Sequence, residues 1–415
     1  MADLNLFNVK GHLKNIHCVY MLNAWWKTRQ AKRLYAKTLR SYAKKSPAPP
    51  FDELLTKRLI ARNNLLKERR NKISIFYLGT DELQDKSGIL QALDYLGELN
   101  YFTQAGGTYG HHITGTIPQR RITNANRLLE LFCQLHQEGK TPDVLIAQTF
   151  ASYIDPAVFG QIRNTYGTLI INIAMDDRHQ YWGRKVNDEW GGTYGLIPHI
   201  DLALTAAPEC VDWYLSEGCP AIFFPEASDP EIFHPMQNLP KIHDVGFVGG
   251  CYGIREEVVK FLRGAGIRVT TFGSGWESGR IDVDSVPTFF AQSKIVLGIG
   301  TVGHSTDFYA LKMRDFDGPM SGSFYITHDN PDLQLVYEVG KEIVTYQTIE
   351  KCVEKVRYYL RHDKEREAIA MAGHKRATLE HSWRKRFGVI FDLLELDKPC
   401  DLVSYATETS VGGSA

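Results

Sequence analysis

Two doubly wound parallel α/β domains facing each other across a cleft, behind a helical N-terminal extension, are the architecture that this sequence predicts. Three observations carry the prediction. Short apolar, β-branched runs alternate with amphipathic helical stretches from Ile73 onward, which is the grammar of parallel sheets covered by helices. Between Pro225 and Leu239 the alternation stops, and Pro225, Pro230 and Pro235 occupy a stretch with no apolar period, as an interdomain linker would. Residues 1–72 differ in charge from everything after them: only Asp3, Asp52, Glu53 and Glu68 are acidic, against seventeen lysines and arginines.

The division expected is therefore a basic helical extension (1–72), a first Rossmann-like domain (73–235), a second (236–396), and a partly disordered small, polar tail (397–415). In the extension, helix formers run up to the break Ser46-Pro47-Ala48-Pro49-Pro50 and resume after it, which predicts two or three helices. Leu13, Tyr20, Trp25 and Trp26 interleave with the positive charges. One reading is a solvated extension packed on the first sheet, and the other is a surface for anionic lipid or a lipid-linked acceptor.

In the first domain, ISIFYL (73–78), residues 99–102, DVLIA (143–147), TLIINIA (168–174), DLALT (201–205) and AIFF (221–224) read as strands. Helices are expected at 89–96, 125–136, 156–166 and up to Glu217, with a long loop between residues 175 and 200. In the second domain, DVGFV (244–248), RVTTF (268–272), Ile295–Leu297, Phe324–Ile326 and Ile343–Val344 read as strands. Helices should fill 256–263, 286–292, 311–320, 348–361, 365–380 and 383–396.

The bulk numbers set limits. A chain of 415 residues with 43% hydrophobic content supplies two ordinary cores. Lysine plus arginine balances aspartate plus glutamate at 48 each, which argues against a dedicated nucleic-acid binder. No membrane-spanning apolar run or secretory signal is visible, and the seven scattered cysteines read as reduced thiols, so a cytoplasmic protein is expected.

In parallel sheets the functional loops lie beyond the carboxyl ends of the strands. That places Gly249 and Gly250 after one strand, Gly273 and Trp276 after the next, and His304 in the loop before the helix that carries Arg314 and Asp317. The glycines allow a ligand close to the backbone, Arg255 and Arg314 suit a diphosphate, and Trp276 offers a ring to a nucleobase. Each has a bland alternative: a simple turn for the glycines, a packed ring for Trp276, and an Arg314–Asp317 ion pair at i,i+3 spacing. On the first domain Thr80, His111, His112 and Asp176 read as acceptor-side groups. Asp177 and His304 are the candidates for proton transfer, with turn or helix capping as the alternative for the Asp176-Asp177 pair. That pair is not a D-x-D metal motif, and no metal is expected.

RDFDGPMSGSFYIT (314–327) followed by LVYEVGKEIVTY (335–346) resembles the signature of the CgeB-like, spore-maturation-type glycosyltransferases of the GT-B superfamily. The resemblance extends to VGFVGGCYGIREEVVKFLRGAGIRVTTFG (245–273), DVLIAQTF (143–150) and PEASDPEIFHP (225–235). It implies a GT-B fold and sugar transfer from a nucleotide diphosphate sugar to a glycan, lipid-linked or protein acceptor, with no other cofactor. Arg314 would meet the diphosphate, Asp317 the ribose hydroxyls, and Ser321, Gly322 and Ser323 would lie beside the phosphates. Asp317 stands where the family usually has glutamate, one methylene shorter. An epimerase or phosphorylase on the same fold, or a catalytically lapsed binding protein, are the alternatives.

Overall fold

The computed structural model describes residues 17–45, 47–60, 72–186, 188–236, 238–394 and 396. Helices α1 (His17–Tyr42) and α2 (Phe51–Ile60) come first. The first sheet region then runs β1 (Ser74–Leu78), α3 (Glu82–Asp85), α4 (Ile89–Leu96), β2 (Glu98–Tyr101), α5 (Ile117–Gln137), β3 (Val144–Ala147), α6 (Ala157–Tyr166), β4 (Leu169–Ala174) and α7 (Asp177–Gln180). A small hairpin follows, β5 (Lys185–Val186) and β6 (Glu189–Trp190), then β7 (Leu202–Thr205), α8 (Pro208–Ser216) and β8 (Ala221–Phe223). The second region holds β9 (His243–Val248), α9 (Arg255–Gly264), β10 (Val269–Phe272), α10 (Val286–Ala291), β11 (Ser293–Leu297), α11 (Arg314–Met320), β12 (Phe324–His328) and β13 (Val344–Tyr346). Helices α12 (Ile349–Tyr359), α13 (Asp363–Glu380) and α14 (Trp383–Leu393) end it.

The two large sheets are parallel throughout, in the orders β2-β1-β3-β4-β7-β8 and β10-β9-β11-β12-β13. In each, the connection reverses direction beside the first strand, between β1 and β3 and again between β9 and β11. At such a switch point the loops splay apart and leave a crevice at the carboxyl edge. The strand interiors, such as Ile75, Phe76, Tyr77 and Leu78, are buried without alternation, because helices cover both faces. Helix α5 shows why the helices start where they do: Thr116 caps it, and the Gln119 side chain accepts the Thr116 N–H at 3.0 Å, closing a capping box.

The extension is built into the first domain. Tyr42 of α1 joins Phe132, Tyr181 and Trp213 in the core on one face of the first sheet. Leu55 and Leu59 of α2 join Ile89, Leu93 and Ile146 on the other. That second core also takes Trp383, Phe387 and Ile390, so α14 crosses back from the second region to the first sheet. The loop expected between residues 175 and 200 contains α7 and the β5–β6 hairpin, pieces too short to show a period. Residues 1–16, 61–71 and 397–415, including the expected disordered tail, lie outside the described residues. Among the described residues no helix is long and apolar enough to cross a membrane.

Candidate active site between the two sheets

At the β9/β11 switch point the chain leaves β9 as Gly249-Gly250. Gly249 has φ +149°, and a β-carbon there would stand 2.7 Å from Arg314 Nη1 and 3.3 Å from Arg255 Nη1. Only glycine fits this place, because both the dihedral angle and the two guanidinium groups exclude a side chain. Arg314 begins α11 and donates from Nη1 to the Val248 carbonyl at 2.8 Å, with its plane 4.9 Å from the Phe247 ring centre. Arg255 begins α9, donates to the Gly250 carbonyl at 3.0 Å and lies 4.0 Å over Tyr252.

The two cations face each other without an acid between them. Arg314 Nε and Nη2 and Arg255 Nε are buried and have no hydrogen-bond partner. Burial, then the charge of Arg314, lowers the Arg255 pKa to about 10. Buried donors of this kind cost free energy unless something accepts from them, and two adjacent cations call for an anion.

A cavity of about 430 Å³ opens on Arg314 and on the Gly249-Gly250 turn beside it. The second domain lines it with Gly249, Gly273, Arg280, Arg314 and Asp317, and the first domain closes it with Asp81 and Gln84. The Arg314–Asp317 ion pair does not form, and Asp317 Oδ1 is buried without a partner. Burial pushes the Asp317 carboxyl up to about 8, against the pull of Ser228 and Arg314. Its helix neighbour Asp315 is engaged instead, accepting from Tyr325 Oη at 2.6 Å and from the Lys312 N–H at 2.7 Å.

Several expected residues lie elsewhere. Trp276 is a brace: its indole N–H donates to the Gly249 carbonyl at 2.7 Å, and its ring packs edge-on against Phe247, so it presents no free face to a base. It holds the glycine turn, as does Gly273, whose φ is +139° and which sits against the Gly249 carbonyl. Ser321, Gly322 and Ser323 follow the carboxyl end of α11 and precede β12, which puts them at the amino edge of the sheet, opposite the cleft. Ser321 donates to the Gly318 carbonyl and Ser323 to the Phe290 carbonyl, both internal bonds. His304 lies over α9 beside Glu257, and its backbone N–H donates to Thr28 of α1 at 3.2 Å, outside the cleft cavity.

Asp177 points into the first domain. Its carboxylate accepts from Thr193 at 2.5 Å, Thr205 at 2.6 Å and Tyr214 at 3.1 Å, and burial raises its pKa to about 7. Three hydroxyls on a carboxylate only 1% exposed make it a structural anchor rather than a group open to substrate. Asp176 does face the second domain. Burial pushes its carboxyl up, but Lys312, 3.4 Å away, and His179 prevail and hold it below its ordinary value. Thr80 donates its N–H to Asp85 at 2.9 Å. His111 is fully buried beside Thr149, and burial lowers its pKa to about 3, whereas His112 is exposed and packs on Tyr153 at 4.8 Å between ring centres.

Two charged neighbours of the site escaped the sequence reading. Lys312 stands two residues before Arg314 and was overlooked beside it. Glu226 lies in the linker, 7% exposed, with Oε2 unpartnered. Burial pushes its carboxyl up to about 8 while Lys312 draws it down. Its one signal was position, just after the last strand of the first sheet.

These shifts predict a pH dependence. The carboxyls of Asp317 and Glu226 keep their protons up to about pH 8 in the folded chain and lose them near 4 when unfolded. The native state then binds more protons in between, so stability should fall as pH rises from about 4 to about 8, by at most about 1.4 kcal/mol per pH unit for each group. Thermal melts of ligand-free Asp317→Asn across that window should show a shallower slope than the parent. An unchanged slope would mean that Asp317 is already ionised.

Two parallel sheets with their carboxyl edges turned to one pocket, and a last helix returning to the first sheet, form the GT-B arrangement. Over residues 255–392, a third of the chain, the sequence matches the family described as glycosyl transferase-like. The fold is similar to sucrose-phosphate synthase from Thermosynechococcus elongatus, with a TM-score of 0.56 at 12% identity, covering 79% of this chain and 100% of that one. It is similar to Anabaena HepE in complex with UDP-glucose, with a TM-score of 0.55 at 9% identity over 78% and 100% of the two chains. A glycosyltransferase from Rickettsia africae ESF-5 gives 0.52 at 10% identity over 79% and 100%. No curated protein matches the chain by sequence. The chain has a GT-B fold, and residues 255–392 are similar to the glycosyl transferase-like family.

Proposed function

We propose that the protein is a CgeB-like glycosyltransferase that moves a sugar from a nucleoside diphosphate sugar to a glycan, lipid-linked or protein acceptor. The observation that carries this reading is the pair Arg255 and Arg314, two buried guanidiniums that meet at Gly249 with unsatisfied donors, Arg314 lining the cleft cavity and Arg255 lying behind the same glycine turn. As the bond from the sugar to the diphosphate breaks, negative charge builds on the leaving oxygens. Cations already held in place, on rings and carbonyls, stabilise that charge with little reorganisation. The complex of HepE with UDP-glucose supports a uridine donor. Asp317 accepts from the ribose hydroxyls, and the loops after β1, β2 and β3, with Thr80 and His112, face the acceptor.

The ribose role has its own test. Asp317→Asn should weaken UDP or GDP binding in calorimetry while pyrophosphate affinity stays nearly unchanged, because only the nucleotides present vicinal hydroxyls. Equal losses for both ligands would remove Asp317 from the ribose.

We further propose that α1 touches anionic lipid at the cytoplasmic face of the membrane. Leu22, Trp25 and Trp26 are 66%, 47% and 54% exposed on a helix that also carries Lys27, Arg29, Arg33 and Lys37. Tryptophan rings suit the headgroup layer, and the cations suit its charge. Vesicles of phosphatidylglycerol should sediment the parent at low salt. The Trp25→Ala, Trp26→Ala double variant should stay in solution, with UDP binding intact. Equal sedimentation of both proteins would dismiss the lipid contact.

A further inference from the structure

A second hollow, of about 320 Å³, lies on the first domain at the same carboxyl edge as the cleft but outside the donor cavity. Its walls come from the loop after β3, which carries Ala151 and Asp155, from the β5–β6 hairpin with Glu189 and Trp190, and from the turn with Tyr194 and His199. The loop and the hairpin are tied together, since Ser152 N–H donates to the Gly191 carbonyl at 2.8 Å, so the hollow is a built feature of the fold.

Aromatic rings and hydrogen-bonding charges meet here. Trp182 lies behind both Trp190 and Tyr194, with ring centres 5.0 and 4.4 Å away, which fixes the two lining rings. Arg121 is held between two carboxylates, donating to Glu189 at 2.7 Å and to Asp155 at 3.5 Å. Both acids keep outward oxygens, their side chains being 66% and 45% exposed. Toward the cleft the surface continues through Tyr153, which lies under Arg120 at 4.9 Å and beside His112.

Such a surface selects for a neutral polyhydroxylated ligand. The C–H face of a pyranose packs on an indole or phenol ring, and its hydroxyls donate to carboxylates and accept from a guanidinium in the same plane. An anionic lipid head would meet Asp155, Asp188 and Glu189, and a purely apolar chain would strip water from all three.

We propose that this hollow is a subsite for a neutral oligosaccharide, seated on Trp190 and Tyr194 and hydrogen-bonded by Asp155, Glu189 and Arg121, so that the acceptor is a glycan running from the hollow past Tyr153 to the cleft. The proposal rests on the acceptor-side reading of the first domain given above. The hollow shares no lining residue with the donor cavity.

Calorimetry of the full chain with maltoheptaose, cellohexaose and chitohexaose tests it. At least one should bind saturably, and Trp190→Ala should weaken that binding by about tenfold or more, the loss of one ring contact of about 1.4 kcal/mol. Glu189→Gln, at a side chain 66% exposed, should weaken it several-fold, while UDP affinity stays the same in both variants. If none of the three sugars binds in the millimolar range, or if both variants bind as the parent does, the subsite is overturned. Failure of the parent reading looks different: sugar binding through Trp190 without any UDP binding would sink the transfer function and keep the subsite.

Discussion

Replacing Arg178 with alanine should lower the stability of the ligand-free protein by about 3–5 kcal/mol, the cost of removing one partner from a buried ion pair. Arg178, in α7 of the first domain, is 11% exposed and uses its whole guanidinium fork. Nε and Nη2 donate to Glu209 at 2.6 and 2.8 Å, and Nη1 and Nη2 donate to Asp332 in the second domain at 2.5 and 3.0 Å. Nη1 also reaches the Tyr309 carbonyl at 3.2 Å. Burial drives Glu209 up, but Arg178 outweighs it and holds the carboxylate below its ordinary value. Without the arginine, Glu209 and Asp332 remain as half-buried and buried negative charges with too few donors. Urea unfolding should show the loss directly. Arg178→Lys should recover only part of it, since an ammonium cannot serve both carboxylates in one plane. A loss below about 1 kcal/mol, the size of an exposed ion pair, would mean that the two domains are held together elsewhere.

The same helix α1 that carries the exposed tryptophans also spans both domains. Tyr35 donates to Glu209 at 2.7 Å, Tyr42 donates to Glu217 at 2.7 Å, and Lys32 pairs with Asp307 in the loop after β11. The basic composition of residues 1–72 was plain in the sequence, but the division of those charges was not. Some reach across the domain junction and others stay in solvent, and that depends on which face of a long helix meets the sheet.

The strand positions were legible because buried parallel strands are continuous apolar runs. The cluster at the β9/β11 crevice was legible in part. Gly249, Arg255, Arg314 and Asp317 converge because all four sit where strands end and helices begin, a place that the alternation itself marks. Trp276, Ser321 and Ser323 share that motif-rich neighbourhood along the chain but not in space. Trp276 folds under its own turn, and a seven-residue helix carries the serines to the far edge of the sheet. Asp177 misled for a similar reason: one residue of rotation at the start of α7 separates Asp176, which faces Lys312, from Asp177, which faces three buried hydroxyls. Sequence adjacency cannot tell those two apart.

Arg314→Ala should weaken UDP binding by about 1.5–3 kcal/mol, the worth of charge-assisted hydrogen bonds to a diphosphate, and leave the fold in place. That corresponds to a loss of about 10- to 150-fold in affinity. The fold should survive because Arg314 gives the protein a single hydrogen bond, to the Val248 carbonyl, and its other buried donors hold nothing in the ligand-free chain. Removing it also relieves the repulsion that Arg255 feels, so the melting temperature of the ligand-free variant should be equal to or slightly above that of the parent. The combination is diagnostic: a residue kept for stability would lower the melting temperature when lost, whereas a residue kept for an anion lowers only affinity. Calorimetry with UDP and thermal melts without it read the two quantities separately. Unchanged UDP affinity in a variant that melts like the parent would place the diphosphate away from the β9/β11 crevice and withdraw the donor site from Arg314.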